Sequence, residues 1–459
     1  MKTKTGLSRR QFIQSNLLAA LAASAFPTII PSSALGKDGA VAPSERVVVG
    51  AIGVGERGQA VLRHFLQQKQ CQVVALCDVK QDVLQAAKTM VDKAYDSSDC
   101  VICEDFRVLT GRKDIDAVMI ASTDHWHVLH ALAAVRTGKD IYLEKPLGLT
   151  LAEDQVLRRE VKKRKRVFQF GTQQRSGRKF RLACELVRNG HIGKLRHINA
   201  WAPGSRGGGS TRVVPPPETL NYDFWLGPAA FRPYTEDLAA FELSKKTWWF
   251  NEDFALGWIA GWGIHAMDIA LWGAGELASG RLGVNGTGRF PTEGACNTAT
   301  DWNVDFNFDS GLTMKFASSP GPGRLTEQLG REWVARYGKI IEHGTAFEGD
   351  AGWIVVDRER ILTQPESLVE IETPPELLAT RLVRSSDHVL NFIEAVKSRG
   401  TTASPIESAV QSDAFCHVAD IAIRLGRKLR FDGKAEKFVG DREANQRLGV
   451  RPMRKPWRL

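Results

Sequence analysis

The chain has 459 residues, of which 43% are hydrophobic and 25% are charged, and its formal net charge is +10. These values are ordinary for a globular protein, and the length predicts two or three domains at about 150 residues each. The basic excess is mild and spread along the chain, which argues against a nucleic-acid-binding protein. The seven cysteines have no spacing typical of a disulfide framework or a metal site, so we expect no bound metal ion.

Two adjacent arginines near the N-terminus begin a segment typical of an export signal. Arg9 and Arg10 precede an apolar stretch from residue 17 to about residue 30, which is too short for a membrane span of about 20 residues. The segment resembles a twin-arginine leader over residues 1–36, which the twin-arginine translocase recognises. The sequence therefore predicts a protein that folds before export, crosses the membrane by this route and reaches the periplasm.

Apolar, β-branched runs alternate with amphipathic stretches between residues 46 and 171. The runs are typical of strands buried on both faces, and the stretches between them carry apolar residues at helical spacing. This alternation predicts a doubly wound parallel sheet, the Rossmann arrangement, which we assign to residues 44–171. Its strands are expected at 47–52, 73–77, 116–121, 141–143 and 167–170, with helices at about 57–68 and 83–93 and after the third strand.

The composition changes after about residue 172, where tryptophan, proline and glycine become frequent. Polar and apolar residues alternate at 301–308, which predicts an antiparallel strand with one face in water. Two further helices are expected near 387–397 and 407–425. We assign residues 172–459 to a second domain.

A glycine-rich turn of the form G-x-G-x-x-G follows the first predicted strand. Its glycines permit a tight turn and the close approach of a pyrophosphate, which the amides of the following helix N-terminus would bind. Asp78 ends the next predicted strand, where a carboxylate accepts hydrogen bonds from the adenosine ribose. This position favours NAD, although Lys80 leaves NADP open. The predicted cofactor-binding residues of this region are Gly53, Gly55, Glu56, Arg57, Gly58 and Asp78.

Polar residues also follow the third and fourth predicted strands. Ser122, His125 and His127 come after the third strand, and Glu144 and Lys145 come after the fourth. The carboxyl ends of parallel strands form the edge at which such folds bind ligands, so we expect all five residues to contact the cofactor. A lysine there can also donate a hydrogen bond to a substrate hydroxyl and lower its pKa.

His265 and Asp268 are three positions apart in an apolar segment, so in a helix they lie on one face. A histidine in this setting can act as the general base when an alcohol is oxidised. Taken alone, such a histidine is more often structural, and the catalytic interpretation depends on the other motifs. Trp249 and Trp262 are candidates for stacking on the faces of a sugar.

Together these motifs resemble the glucose–fructose oxidoreductase / inositol dehydrogenase (Gfo/Idh/MocA) family. The resemblance covers nearly all of the mature chain. It includes the glycine turn, D-H-W-H at 124–127, E-K-P at 144–146, G-T-Q-Q-R at 171–175 and G-x-H-x-x-D at 263–268.

The resemblance implies a C-terminal α/β domain with a large open, mostly antiparallel sheet that binds substrate and mediates assembly into a dimer or tetramer. It implies that Lys145 positions substrate and cofactor and that His265 transfers the proton. Substrate contacts are expected from Gln173, Arg175, Trp249, Trp262 and Asp268.

The chain departs from the family pattern at two places. The acidic residue usual four positions before the histidine is Gly261 here, and Ser122-Thr123 stands where Thr-Pro is usual. Glu252 or Asp253 is a candidate replacement for the missing carboxylate.

Three functions are consistent with these residues. The leading hypothesis is a hydride transfer between a tightly bound NAD(P) and a secondary hydroxyl of a sugar or polyol. The alternative is an NAD-dependent, redox-assisted glycoside hydrolase or lyase, in which transient oxidation of a ring carbon acidifies its neighbour so that a glycosidic bond is eliminated. A second alternative is an exported carbohydrate-binding protein without catalysis.

Overall fold

The structure is a computed structural model that describes residues 41–242, 245–370 and 379–459. The leader expected at residues 1–36 lies outside the described residues, so export and periplasmic location stay predictions. Within the described ranges, no helix combines the length and apolarity that a membrane span needs. The chain from Val47 to Leu459 folds as one compact unit.

Six parallel strands form the first sheet. They are β1 (Val47–Ile52), β2 (Cys71–Cys77), β3 (Val101–Cys103), β4 (Ala117–Ile120), β5 (Asp140–Leu143) and β6 (Phe168–Phe170). Their order is β3-β2-β1-β4-β5-β6, so the winding reverses between β1 and β4. This confirms the predicted doubly wound parallel sheet. The short strand β3 was missing from the prediction.

Helices cover both faces of this sheet. They are α1 (Glu56–Leu66), α2 (Gln81–Tyr95), α3 (Phe106–Gly111), α4 (Asp124–Arg136) and α5 (Leu151–Lys163). In α1, Val61, Leu62 and Phe65 recur at helical spacing and are buried, and burial of one such side chain stabilises the fold by about 1.5–3 kcal/mol. The Phe65 ring packs edge-on against Tyr142 of β5, with 5.5 Å between the ring centroids. This packing fixes α1, and with it the glycine turn, on the sheet.

Nine strands form the second sheet. They are β7 (Leu195–Ala202), β8 (Arg281–Arg289), β9 (Asp301–Phe308), β10 (Thr313–Ser318), β11 (Gly344–Gly349), β12 (Trp353–Val356), β13 (Ile361–Gln364), β14 (Leu429–Asp432) and β15 (Lys437–Phe438). Their order is β13-β12-β11-β7-β10-β9-β8-β14-β15. All neighbouring pairs are antiparallel except β7 with β10. This confirms the expected large, mostly antiparallel sheet, and β9 occupies the residues predicted for an antiparallel strand.

Eight further helices follow β6 along the chain in the described ranges. They are α6 (Arg178–Arg188), α7 (Tyr222–Leu226), α8 (Trp258–Gly261), α9 (Gly263–Ala274), α10 (Glu327–Tyr337), α11 (His388–Ser398), α12 (Ile406–Leu425) and α13 (Arg442–Leu448). Every residue of α9 is buried, because the helix packs against α6, α12 and the sheet strand β7 at once. Its almost wholly apolar sequence follows from this position.

Helix α11 returns from the second half of the chain to the first sheet. Val389, Phe392 and Ile393 belong to the same buried cluster as Phe65 and Tyr142. The Nε2 of Gln169 in β6 donates a hydrogen bond to the carbonyl of His388, at 2.9 Å. A helix that we assigned to the second domain therefore completes the core of the first. Both sheets belong to one compact unit.

Candidate active site

The glycine turn after β1 has room only for glycine at two positions. Gly53 has φ +77°, and a Cβ there would lie 2.3 Å from the backbone nitrogen of Ser122. A Cβ on Gly58 would lie 2.0 Å from the carbonyl oxygen of Gly53. At Gly55 a Cβ would meet nothing within 4 Å. The turn is thus closed toward the sheet and open toward solvent at Gly55, as the approach of a pyrophosphate requires.

Asp78 follows β2 and faces the same turn. Its carboxylate accepts hydrogen bonds from the backbone nitrogen of Val54 at 2.8 Å and from that of Lys80 at 3.0 Å. Burial raises the pKa of the Asp78 carboxyl, and the two amide donors oppose that shift. The carboxylate lines the cleft beside the glycine turn, at the position where a Rossmann fold binds the adenosine ribose.

Glu144 after β5 is held by two neighbours. Its Oε1 accepts hydrogen bonds from Arg57 at 2.8 Å and from Gln173 at 2.7 Å. Burial opposes ionisation, but the Arg57 guanidinium outweighs it and lowers the pKa of Glu144. A Cβ on Gly171 would come within 2.9 Å of Glu144, so glycine is needed where the second domain begins. The predicted contact residues Arg57, Gln173 and Glu144 thus form one network.

Lys145 points its amine across the domain junction. The Nζ donates a hydrogen bond to the carbonyl oxygen of Gly261 at 2.7 Å and lies 5.1 Å from the centroid of the Trp249 ring. Because burial disfavours its charged form, the pKa of Lys145 falls to about 8. A lysine of this pKa can both donate a hydrogen bond and exchange a proton near neutral pH.

The D-H-W-H segment begins α4 and fixes the loop that carries Lys145. The two ring nitrogens of His127 contact carbonyl oxygens, that of Pro146 at 2.6 Å and that of Ser122 at 3.0 Å. His127 and Ser122 also line the cleft. His125 instead contacts the carbonyl oxygen of Trp225 at 3.0 Å and lies outside the cleft lining. The structure therefore gives His125 a packing position, and its contact with a cofactor stays a prediction.

His265 lies in the first turn of α9 with 4% of its surface exposed. Its Nδ1 has no hydrogen-bond partner among the described residues. Burial lowers the pKa of His265 well below its ordinary value, and the charges of Lys145 and Arg358 add to that effect. The imidazole is therefore neutral, and it feels the charge of the Lys145 amine. A neutral imidazole with a free ring nitrogen can accept a proton.

Arg175 and Asp268 form a bidentate ion pair in the protein interior. The distances are 2.7 Å from Nε to Oδ2 and 2.8 Å from Nη2 to Oδ1. The Ser412 hydroxyl donates a further hydrogen bond to Asp268 at 2.8 Å, and the guanidinium stacks on Trp272 at 4.9 Å. These groups are engaged with one another, and substrate contact by Arg175 and Asp268 stays a prediction.

The structure also shows what surrounds Gly261, where the family usually has an acid. A Cβ on Gly261 would lie 3.1 Å from the Nε1 of Trp249, so the indole occupies that side of the lysine. Glu252 pairs with Arg424 at 2.8 Å and Asp253 pairs with Arg232 at 3.0 Å. Both carboxylates are thus committed to ion pairs elsewhere, and neither is the replacement that the sequence suggested.

Asp124 is the carboxylate that the sequence analysis overlooked. It lines the cleft, and its Oδ2 has no partner among the described residues. Burial raises the pKa of Asp124 well above its ordinary range, while the nearby Lys145 charge opposes the rise. Its position within D-H-W-H was visible in the sequence, but its orientation toward Lys145 was not.

Most of the predicted cofactor contacts and Lys145 line one cleft, whereas His265 lies outside its lining. The cleft runs from the glycine turn and Asp78 to Lys145, with Trp225, Trp248 and Trp249 as an aromatic wall from the second half of the chain. Glu56 in this lining pairs with Lys246 at 3.2 Å, which ties the two halves together. The open side of Gly55 and the Asp78 carboxylate fit a dinucleotide.

Trp262, a predicted substrate contact, lies near His265 together with two residues that no motif indicated, His343 and Arg358. Trp262 lies with its ring centroid 5.8 Å from that of His265 and 5.3 Å from that of His343. The Arg358 guanidinium stacks on the outer side of Trp262 at 4.8 Å. His343 and Arg358 come from the second sheet, more than 70 residues beyond G-x-H-x-x-D, and only the fold brings them to the site.

Two family models match the chain, and together they cover more than half of it. Residues 47–172 match the model described as the oxidoreductase family, NAD-binding Rossmann fold. Residues 335–459 match the C-terminal alpha/beta domain of the same oxidoreductase family.

Curated relatives match the chain over part of its length. A glycosyl hydrolase family 109 protein of a Shewanella species is 31% identical over 179 residues, which are 38% of this chain and 39% of the relative. An alpha-N-acetylgalactosaminidase of Shewanella oneidensis is 32% identical over 174 residues, 37% of this chain and 38% of the relative. The match therefore covers about two fifths of the length of these relatives.

Solved structures share the fold over most of the chain. A NAD-binding protein from Listeria innocua has a TM-score of 0.56 at 15% identity, covering 83% of this chain and 96% of that one. A dehydrogenase from Bordetella pertussis in complex with NADH and UDP-GlcNAcA has a TM-score of 0.59 at 13% identity, covering 83% and 98%. With the two family matches and the glycine turn, these likenesses lead to one conclusion: the chain belongs to the Gfo/Idh/MocA oxidoreductase family, with a NAD-binding Rossmann fold.

Proposed function

We propose that the protein is an NAD(P)-dependent oxidoreductase that transfers a hydride to or from a secondary hydroxyl of a sugar or polyol. The observation that carries the proposal is the combination of Lys145, whose pKa is about 8, with His265, whose neutral imidazole feels the Lys145 charge and has an Nδ1 without a partner among the described residues. Lys145 lies at the carboxyl edge of the parallel sheet, where such folds bind nicotinamide cofactors. The aromatic wall of the cleft suits a sugar face.

The two residues have complementary tasks in this reaction. The Lys145 ammonium donates a hydrogen bond to the carbinol oxygen and stabilises the negative charge that develops as the hydroxyl proton leaves. The His265 imidazole accepts that proton in the oxidative direction and returns it in the reductive direction. The Gly261 carbonyl, 2.7 Å from Nζ, holds the amine in place without neutralising it. The Trp249 ring lies 5.1 Å from Nζ, where a cation–π contact stabilises the charged amine.

The residues that would hold the cofactor follow from the geometry. Gly55 gives access to the helix α1 amides for the pyrophosphate, and Asp78 accepts hydrogen bonds from the ribose. A carboxylate at Asp78 favours NAD over NADP, because the additional phosphate of NADP would lie against an acidic group. A bound nicotinamide supplies the hydride acceptor or donor. We further propose that it stays bound during turnover, which an exported enzyme without access to free nucleotide would need.

The second candidate is a redox-assisted glycoside cleavage. Two observations favour it: the expected acid is replaced by Gly261, and curated relatives carry the names glycosyl hydrolase family 109 protein and alpha-N-acetylgalactosaminidase. In this reaction a ring carbinol would be oxidised as above, with its hydride passing to the bound nicotinamide while Lys145 stabilises the carbinol oxygen and His265 accepts the hydroxyl proton. Deprotonation at the adjacent carbon would then expel the glycosidic oxygen, and the ring ketone would be reduced back after water adds, so no net oxidation occurs.

The first experiment identifies the bound nucleotide. The purified protein is denatured, and released nucleotide is identified by absorbance and mass. Stoichiometric NAD supports both enzymatic candidates, whereas a protein that neither holds nor binds added NAD(P) would leave only the non-catalytic carbohydrate-binding protein. The expected oligomer, a dimer or tetramer, is measured by light scattering on the same sample.

The second experiment separates the two reactions. Free sugars and chromogenic glycosides are supplied without added nucleotide, and both the aglycone and the reduced nicotinamide are followed. Net oxidoreduction gives reduced cofactor or a keto-sugar, while redox-assisted cleavage releases aglycone over many turnovers with no net change in the cofactor. Lys145→Met should abolish either activity. The matched control is Lys113→Met, an exposed lysine that should leave activity unchanged.

A further inference from the structure

Arg358 lies at the tip of a tight hairpin between β12 and β13. The Asp357 carboxylate accepts hydrogen bonds from the backbone nitrogens of Glu359 and Arg360, both at 2.8 Å. The Asp357 nitrogen donates to the Arg360 carbonyl at 3.0 Å, and the Lys179 amine donates to the Arg358 carbonyl at 3.4 Å. The backbone of the tip is therefore fixed, which limits where the Arg358 side chain can reach.

That side chain extends over Trp262 toward the catalytic residues. The centre of the guanidinium lies 4.8 Å from the centroid of the Trp262 ring, and the same ring lies 5.8 Å from His265. Arg358 and the proposed base thus contact the same aromatic ring. A guanidinium stacked in this way keeps its edge of N–H donors free to bind a planar or tetrahedral anion.

Arg358 differs from Arg57 and Lys246 because it has no acidic partner among the described residues. Arg57 pairs with Glu144 at 2.8 Å and Lys246 pairs with Glu56 at 3.2 Å. Among the described residues, no carboxylate forms an ion pair with Arg358, and the adjacent Asp357 is used by the turn and by Arg360 at 3.2 Å. The positive charge of Arg358 consequently acts on the site, where it helps to lower the pKa of His265 and of Lys145.

We propose that Arg358 binds an anionic group of the substrate, so that the preferred substrate is an acidic sugar rather than a neutral one. The inference rests on the proposed function, since it takes the carbinol to lie between Lys145 and His265. The shared chemistry is a carboxylate, as in a uronic acid, or a phosphate ester. His343, beside Trp262, has its pKa lowered to about 4 by burial and adds hydrogen-bonding capacity without a second charge.

The test measures binding to the purified, NAD-loaded protein by calorimetry. The probes are glucuronate and galacturonate, their neutral counterparts glucose and galactose, and inorganic phosphate. We expect one uronate to bind at least tenfold more tightly than its neutral counterpart. Arg358→Gln should lose roughly tenfold to a hundredfold of that affinity, as expected for a hydrogen-bonded charge. Arg358→Lys should retain part of it, because it keeps the charge but not the planar fork.

Two controls separate this inference from the proposed function. Arg159→Gln removes an exposed arginine on α5 and should change no affinity, and NAD content should be the same in every variant. Phosphate binding that depends on Arg358, without uronate binding, would identify the anion as a phosphate. Equal affinities for uronates and neutral sugars with no Arg358-dependent phosphate binding, or a loss of NAD on Arg358→Gln, overturns the inference. Absence of NAD from the unmodified protein would instead count against the proposed function.

Discussion

Helix α9 carries two buried polar residues one turn apart, and their surroundings are opposite. Asp268 accepts three hydrogen bonds, two from Arg175 and one from Ser412. His265 has an unpartnered Nδ1 among the described residues, and the Lys145 charge helps to lower its pKa. Buried polar groups are normally satisfied, so an unsatisfied one is a candidate for contact with a ligand. Under the proposed function, the comparison places Asp268 in the fold and His265 in the chemistry.

Replacing His265 should have the largest effect, and only on activity. His265→Asn keeps a polar side chain of similar shape but removes the base, so we expect the turnover rate to fall roughly 10²–10⁴-fold. Because His265 makes few polar contacts, the free energy of unfolding should change little. Urea denaturation and steady-state kinetics on the same preparations measure both quantities. A large loss of stability with a small loss of rate would reverse the roles that the comparison assigns.

Replacing Arg175 should have the opposite profile. Arg175→Met leaves the Asp268 carboxylate buried without its charged partner, which should cost about 3–5 kcal/mol of the free energy of unfolding. The double variant Arg175→Met with Asp268→Leu removes both charges and should recover much of the loss. If Arg175→Met folds normally but loses sugar affinity, the substrate contact that the sequence predicted for Arg175 would be supported instead.

This contrast also marks how far the sequence could lead. The glycine turn, Asp78, Glu144 and Lys145 were predictable because strand order and the carboxyl edge of a parallel sheet bring them together. These residues come together because each strand follows the previous one after about 20 residues, so all of them lie within about 120 residues of chain.

The remainder of the site could not be predicted from the sequence for a physical reason. His343 and Arg358 come to this site only because β11 pairs with the distant strand β7 and β12 and β13 continue the sheet. No local sequence pattern predicts such long-range pairing. The fate of Glu252 likewise depends on Arg424, far along the chain in α12. Satisfied and unsatisfied residues on one helix face have the same sequence signature, as His265 and Asp268 show.

A third buried cluster, at the junction of α5 and α12, should make the stability of the fold depend on pH. His417 in α12 lies 3.3 Å from Asp413 and 3.7 Å from Asp154 of α5. Burial alone would lower the pKa of His417, but the two carboxylates outweigh it and raise the pKa to about 10. The protonated imidazole therefore stabilises the junction of α5 with α12. The pKa of Asp154 is itself raised well above its ordinary range by burial and by Asp413. Asp154 therefore also binds a proton more readily in the folded chain.

The folded chain binds more protons here than the unfolded chain between pH about 6.5 and about 10. The stabilisation is complete below the lower value and is lost as pH rises through the upper one, with a slope of at most about 1.4 kcal/mol per pH unit. Between these two pH values, the urea concentration at the midpoint of unfolding should fall less steeply with pH for His417→Gln than for the unmodified protein. His64→Gln, an exposed histidine, is the control. Parallel pH profiles for all three proteins would contradict the assignment.

Lys145 provides the smallest and most specific test. Its folded-state pKa of about 8 lies below the value of about 10.4 for a lysine in water. Because the charged amine is the form that assists the reaction, kcat/KM should fall about tenfold for each pH unit above about 8. The neutral His265 imidazole adds no limb near neutral pH, since its pKa is lowered well below the ordinary value.

Stability should respond to the same proton with the opposite sign. Between pH about 8 and about 10.4 the unfolded chain binds more protons at Lys145 than the folded chain, so this residue's contribution to the free energy of unfolding rises with pH. Lys145→Arg stays charged over that range, and its residual activity should lose the alkaline limb. If Lys145→Arg keeps the same alkaline limb, another group titrates there, and the assignment of Lys145 to the chemistry is wrong.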